Sequence, residues 1–220
     1  MIEVKNNYLA RIIFDFYIDR LLRKNFSHFY LLNNFPALKS QNSVVLTPNH
    51  FSWWDGFLID WILKKETKHQ IKIMMLEEQL KRFWFFNYLG AYSIEPKNPA
   101  SIKETVLYTR SLINKKGNGI VIYPQGEIEP YEKRPLQLKE GLKLILKPET
   151  DAFVIPVGFK IHFMKEKLPS VLCRLGEPLH ANTIVNDFSL FKESFNCNMN
   201  LLDESISDLI FVKDYFAKRS

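Results

Sequence analysis

Six short apolar runs, each four to six residues long and separated by segments of helical periodicity, constrain this chain more than any other feature. They are Ser43–Thr47, Ile71–Leu76, Ala91–Ile94, Gly119–Tyr123, Phe153–Val157 and Val171–Leu175. A run such as Val44-Val45-Leu46, without polar alternation, suits a strand covered on both faces. The intervening segments Trp54–Leu63, Glu77–Tyr88, Pro99–Lys115 and Gln137–Leu146 read as helices. Strands joined through helices pair in parallel, so the expectation is an α/β fold with a mostly parallel central sheet flanked by helices. Lys160–Met164 and Val171–Leu175, linked by Glu166–Ser170, read instead as an antiparallel pair. A last helix is expected over Asp203–Phe216.

Ahead of the first strand, residues 8–24 read as an amphipathic helix. Arg11, Asp15, Asp19 and Arg23 recur every four residues on one side, and Leu9, Ile12, Ile13, Phe16, Tyr17 and Leu21 fill the other. Such a stripe serves equally a helix packed on a core and one lying in a membrane surface. Phe35-Pro36 and Ser40-Gln41-Asn42 break the pattern, dividing the 220 residues into an N-terminal membrane-surface segment, 1–35, and an α/β domain, 36–220.

Charge and aromatic content limit the partners. The formal net charge is +6, and residues 1–40 carry six basic against three acidic side chains, which favours an anionic membrane surface or another acidic partner. The 18 Phe, 9 Tyr and 4 Trp suit work where water meets hydrocarbon. Charges at Glu3, Lys5, Arg11, Asp15 and Asp19 argue against a secretory leader, and no apolar stretch approaches the roughly 20 residues of a membrane span. The expected location is therefore peripheral, on the cytoplasmic face. Two cysteines, Cys173 and Cys197, fit a reducing compartment. Nucleic acid is not expected, because the aromatic run Phe83–Tyr88 has only Lys81 and Arg82 beside it.

In parallel sheets, functional groups collect past the carboxyl ends of strands. Three polar clusters are expected there: Thr47-Pro48-Asn49-His50, Glu95-Pro96-Lys97 and Pro124-Gln125-Gly126-Glu127. Of five histidines, only His50 has an acid nearby in a strand-to-helix turn, Asp55. On a continuous helix five residues leave two side chains about 140° apart, so the two must straddle a bend to meet. If they do, the carboxylate fixes the imidazole tautomer and leaves a general base. Spacing alone also permits a loop histidine beside a helix-start acid. No Gly-x-Ser-x-Gly elbow, phosphate-binding glycine loop or metal-spaced histidine pair is present.

Asn49-His50-x-x-x-x-Asp55, Gly90-Ala-Tyr-Ser-Ile-Glu95, Tyr123-Pro-Gln-Gly-Glu127 and Val154-Ile-Pro-Val157 together resemble the four ordered blocks of the glycerophospholipid acyltransferases, over about residues 40–160. The resemblance implies transfer of an acyl group from acyl-CoA or acyl-carrier protein to a lipid hydroxyl such as that of 1-acylglycerol-3-phosphate. It implies no metal, cofactor or covalent intermediate, His50 as general base and Asp55 orienting it. Backbone N–H groups at the start of the following helix are expected to meet the oxyanion.

The departures bear on the acceptor. Family members typically read Phe-Pro-Glu-Gly-Thr-Arg-Ser where this chain has Tyr123-Pro124-Gln125-Gly126-Glu127-Ile128-Glu129, and an arginine follows the acid where this chain has Glu95-Pro96-Lys97. Lys97 and Arg134, with Lys133, are the candidate replacements for a phosphate-holding cation; Gln125, Gly126 and Glu127 complete the candidate substrate-binding set. The alternatives are an acceptor without phosphate (a glycolipid, carotenoid glycoside or lyso-aminolipid) and a non-catalytic lipid-binding protein of the same fold.

Overall fold

The computed structural model describes residues 1–36, 43–208 and 210–217, so the sequence break at Ser40-Gln41-Asn42 lies outside the described residues. The first half runs α1 (Tyr8–Asn25), β1 (Phe29–Leu31), β2 (Ser43–Pro48), α2 (Asp55–Glu66), β3 (Gln70–Leu76), α3 (Glu77–Arg82), a 3-10 turn (Trp84–Leu89), β4 (Ala91–Ile94) and α4 (Pro99–Ile113). The second half runs β5 (Asn118–Val121), α5 (Gly141–Ile145), β6 (Ala152–His162), β7 (Ser170–Leu175), β8 (Leu179–His180), α6 (Ala181–Asn186), α7 (Phe188–Ser207) and β9 (Lys213–Asp214).

One sheet takes the order β4-β3-β5-β2-β6-β7-β1-β9, with β8 beside β6. Strands β2 to β6 pair in parallel, as the sequence predicts. Strand β7 runs antiparallel to β6, with His162 opposite Ser170 and Val157 opposite Leu175. In the central strand β2, every residue is buried. Val44 and Leu46 join Leu58, Ile59, Ile62, Ile155 and Val157 in the core beneath α1 and α2. Val45 points the other way, into a core with Ile120, Val154, Phe191, Phe195 and Met199. Two covered faces and a side-chain period of two make the run continuously apolar.

Helix α1 docks by its charged side. Arg11 Nη2 donates to both carboxylate oxygens of Asp60 on α2, at 2.6 Å each. Asp15 pairs with Lys64, while Asp19 accepts from Trp61 Nε1 at 3.0 Å and lies 3.3 Å from Lys65. Ile18 and Leu22 are buried, but Tyr8, Leu9, Ile12, Ile13, Phe16 and Tyr17 are exposed. Residues 1–35 also supply a strand of the sheet, because β1 pairs with β7 at Phe29–Val171 through Leu31–Cys173.

Four helix expectations change. The last helix is not Asp203–Phe216 but α7, which starts at the Asp187 cap and buries Phe188, Phe191, Phe195, Met199 and Leu202 at helical spacing. Beyond it, Val212 N–H donates to Leu31 O and Tyr215 N–H to Phe29 O, so the tail is edge strand. Glu77–Tyr88 divides at Phe83, whose backbone leaves the helical region, into α3 and the 3-10 turn. Within Gln137–Leu146 only Gly141–Ile145 is helical, because Leu136 and Leu138 are buried outside any helix and Lys139 N–H is held by Pro124 O. Finally, α2 begins at Asp55 rather than Trp54 and extends to Glu66.

Candidate active site

The site is built on the exit from β2. Asn49, buried, locks this exit to β6: its Nδ2 donates to Phe159 O at 3.0 Å and its Oδ1 accepts from Phe159 N–H at 2.7 Å. The chain then turns through His50–Trp54 before α2 opens at Asp55, which supplies the bend that the five-residue spacing requires. Asp55 Oδ2 accepts three hydrogen bonds, from His50 Nδ1 at 2.8 Å, Phe51 N–H at 2.8 Å and Ser52 N–H at 2.9 Å. Burial pushes the Asp55 carboxyl up from its ordinary range, and these donors, His50 first, pull it part of the way back. A carboxylate only accepts, so it places the imidazole proton on Nδ1 and leaves the Nε2 lone pair free. No described residue hydrogen-bonds Nε2.

Several amides around the start of α2 are already engaged within the turn, Asp55 N–H with Ser52 O and Phe57 N–H with Trp54 O among them. Phe51 and Ser52 N–H are held by Asp55, and Trp54 N–H by Ser52 Oγ at 2.9 Å.

A second wall comes from the chain after β5. The Tyr123 ring lies on the His50 ring, centroids 4.3 Å apart and 29° between planes. Gly126 turns with φ of +74°, a left-handed conformation that favours glycine, and its N–H donates to Tyr123 O. Gln125 is buried, with Oε1 accepting from His50 N–H at 2.6 Å and Nε2 donating to Glu129 Oε2 at 2.8 Å. Glu129 in turn pairs with Lys133, which, with Gln125, holds its carboxyl below the usual range.

Of the candidate residues, the fold brings His50, Asp55, Gln125 and Gly126 together, because β2 and β5 are neighbours. Glu127 follows on the same turn but is exposed, 3.3 Å from Lys139. Arg134 is engaged elsewhere, donating to Tyr131 O and Lys133 O and lying 3.4 Å from Asp203. Lys97 is exposed beyond edge strand β4, three strands or roughly 14 Å from β2 across the sheet. Sequence reasoning gave no role to Tyr123 or to the Gln125–Glu129 contact. The signal available for the latter was the four-residue spacing within one turn. Among the described residues no three His, Cys, Asp or Glu side chains gather so as to hold a metal ion.

A histidine–aspartate pair at the carboxyl end of a largely parallel sheet, its Nε2 without a hydrogen-bond partner among the described residues, defines an α/β protein with a polar site on a strand-to-helix turn. The Acyltransferase family model matches residues 27–160, and the chain belongs to that family. Its fold is similar to the crystal structure of the 1-acyl-sn-glycerophosphate acyltransferase PlsC from Thermotoga maritima. The TM-score is 0.65 at 18% sequence identity, over 91% of this chain and 80% of that one. An acyltransferase of this family acts between an acyl donor and a lipid acceptor.

Proposed function

We propose that this chain moves a fatty acyl group from acyl-CoA or acyl-carrier protein to a hydroxyl of a lipid acceptor such as 1-acylglycerol-3-phosphate. The observation that carries the reading is the 2.8 Å contact from His50 Nδ1 to Asp55 Oδ2, which leaves Nε2 open. Nε2 accepts the proton of the acceptor hydroxyl as its oxygen adds to the thioester carbonyl carbon. Collapse of the tetrahedral intermediate breaks the C–S bond, and the leaving sulfur takes the proton back from the imidazolium. Asp55 stabilises that imidazolium and keeps its orientation. The scheme calls on no metal or resident cofactor. We place it at the cytoplasmic membrane face, where the exposed stripe of α1 is suited to anionic lipid.

A second acceptor class has specific support. Lys133 is paired with Glu129, Lys139 with Glu127, and Arg134 with Asp203, so these three cations of the segment after β5 each face an acid. That balance favours a lipid alcohol without phosphate, such as a glycolipid, carotenoid glycoside or lyso-aminolipid.

The test incubates the protein with a labelled acyl thioester and a total polar-lipid extract, with mass spectrometry of the product. The expected outcome is an acyl ester whose formation falls ~10²–10⁴-fold in His50→Ala, with little loss of stability and the fold retained. Product formation by His50→Ala at the wild-type rate overturns the mechanism. Bound acyl lipid without any product identifies a lipid-binding protein instead.

A further inference from the structure

We infer that Glu129 is a positioning residue for His50, acting through the side-chain amide of Gln125; the inference rests on the reading of His50 as the base. Both backbone groups of His50 are held by the turn after β5. Its N–H donates to Gln125 Oε1 at 2.6 Å, and its carbonyl accepts from Glu129 N–H at 2.9 Å. The Gln125 amide is buried, so its NH₂ needs an acceptor, and Glu129 Oε2 provides it at 2.8 Å. The other acceptor in reach is His50 O, at 3.5 Å. Without the Glu129 carboxylate the amide swings toward that carbonyl and draws Oε1 away from His50 N–H.

The two ends of a glutamine amide are alike in shape and opposite in polarity. Turned over, this one would set NH₂ against the His50 N–H and its oxygen against the Glu129 carboxylate. A carboxylate on one side and an N–H donor on the other therefore specify a single orientation. Lys133 keeps Glu129 ionised for that task. The arrangement also accounts for a departure from the family pattern. The acid typical of the third position of the block is an amide here, at Gln125, and a carboxylate stands four residues on, at Glu129. The negative charge has been moved one contact further from the histidine.

The experiment compares Glu129→Ala, Glu129→Gln, Gln125→Glu and the exchange Gln125→Glu/Glu129→Gln in steady-state acyl transfer, beside hydrogen exchange at the His50 amide. Glu129→Ala should lower kcat roughly 10- to 100-fold, the scale for a misplaced catalytic group, with a smaller change in KM and faster exchange at His50. Glu129→Gln, which still offers an oxygen acceptor, should recover most of both and shows that loss of fold is not the cause. Gln125→Glu sets two carboxylates face to face, so its activity relative to wild type should rise as pH falls and one shared proton relieves the repulsion. The exchange variant should lose that acid dependence. Unchanged kcat and unchanged His50 exchange in Glu129→Ala, with His50→Ala inactive, overturn the inference. If His50→Ala itself turns over normally, the base assignment fails, and the exchange rate still decides whether Glu129 holds the His50 backbone.

Discussion

At the scale of single residues, the least expected group is Tyr123. Its ring supports one face of the His50 imidazole, yet its buried hydroxyl has no hydrogen-bond partner among the described residues. Burial first, then the nearby carboxylates of Asp55 and Asp60, push the phenol well above its ordinary range, so it stays protonated. A buried donor without an acceptor costs about 1–3 kcal/mol, and the ring itself contributes packing. Tyr123→Phe is therefore expected to melt at or above the wild-type temperature, with a gain of about 1 kcal/mol. Tyr123→Ala should lose about 3–5 kcal/mol through the cavity it leaves. Calorimetry on the pair checks this, and a Tyr123→Phe protein less stable than wild type shows that the hydroxyl has a partner after all. Sequence made His50 and Asp55 legible through the resemblance of the four blocks to a known family; spacing alone said only that the two could meet across a bend. Tyr123 was illegible, because a tyrosine ending a buried strand looks the same whether or not it covers a histidine.

At the scale of elements, the pairing of α1 with α2 turns on a buried ion pair. Asp60 is buried and bridged by both oxygens to Arg11; burial pushes its carboxyl up, against the pull of that guanidinium. Removing one partner leaves the other charge unpaired in the core, so Arg11→Met should cost about 3–5 kcal/mol, whereas Arg11→Met/Asp60→Leu should recover most of it. Denaturant melts of the three variants measure the coupling, and simple additivity would show that the pair is not what docks the helix. The four-residue charge repeat of α1 was readable as one face of a helix. Which side that face meets was not, because the partners Asp60, Trp61, Lys64 and Lys65 lie about fifty residues away on α2. The short strands β1 and β9 escaped the reading for a similar reason. Three and two residues carry no periodicity of their own; β1 exists because β7 offers an edge, and β9 because β1 in turn offers one. The central parallel strands were legible because burial on both faces is written into their composition.

At the scale of the whole molecule, the direction of α1 decides how membrane attachment is to be tested. A helix that lays its charged side on the protein leaves its apolar side with nothing in the described chain to cover it: Leu9 is 66%, Ile13 62% and Phe16 73% exposed. Apolar side chains continue toward the His50–Trp54 turn, since Phe14 meets Phe57 and Phe86, Phe57 meets Trp53, and Trp53, Trp84 and Phe85 are exposed. No helix among the described residues is long and apolar enough to cross a membrane. At about 1.5–3 kcal/mol for each fully buried large apolar side chain, burying the exposed two-thirds of the three α1 side chains contributes about 3–6 kcal/mol, or roughly 10²–10⁴ in partitioning, and Arg20 and Lys24 add about 1 kcal/mol each near anionic headgroups. Deleting residues 1–35 is a poor test, because it also removes Ile18, Leu22 and β1 from the core. Substituting Leu9, Ile13 and Phe16 together by Ser leaves every core contact in place. The triple variant is expected to keep its melting temperature, to stop floating with anionic vesicles, and to lose activity on lipid acceptors more than on a short soluble thioester. High salt should release wild-type protein only in part, because it screens the basic side chains and spares the apolar ones. Full flotation of the folded triple variant would move the attachment to Trp53 and Phe83–Phe85, whereas loss of its cooperative melt would show that the stripe is core after all.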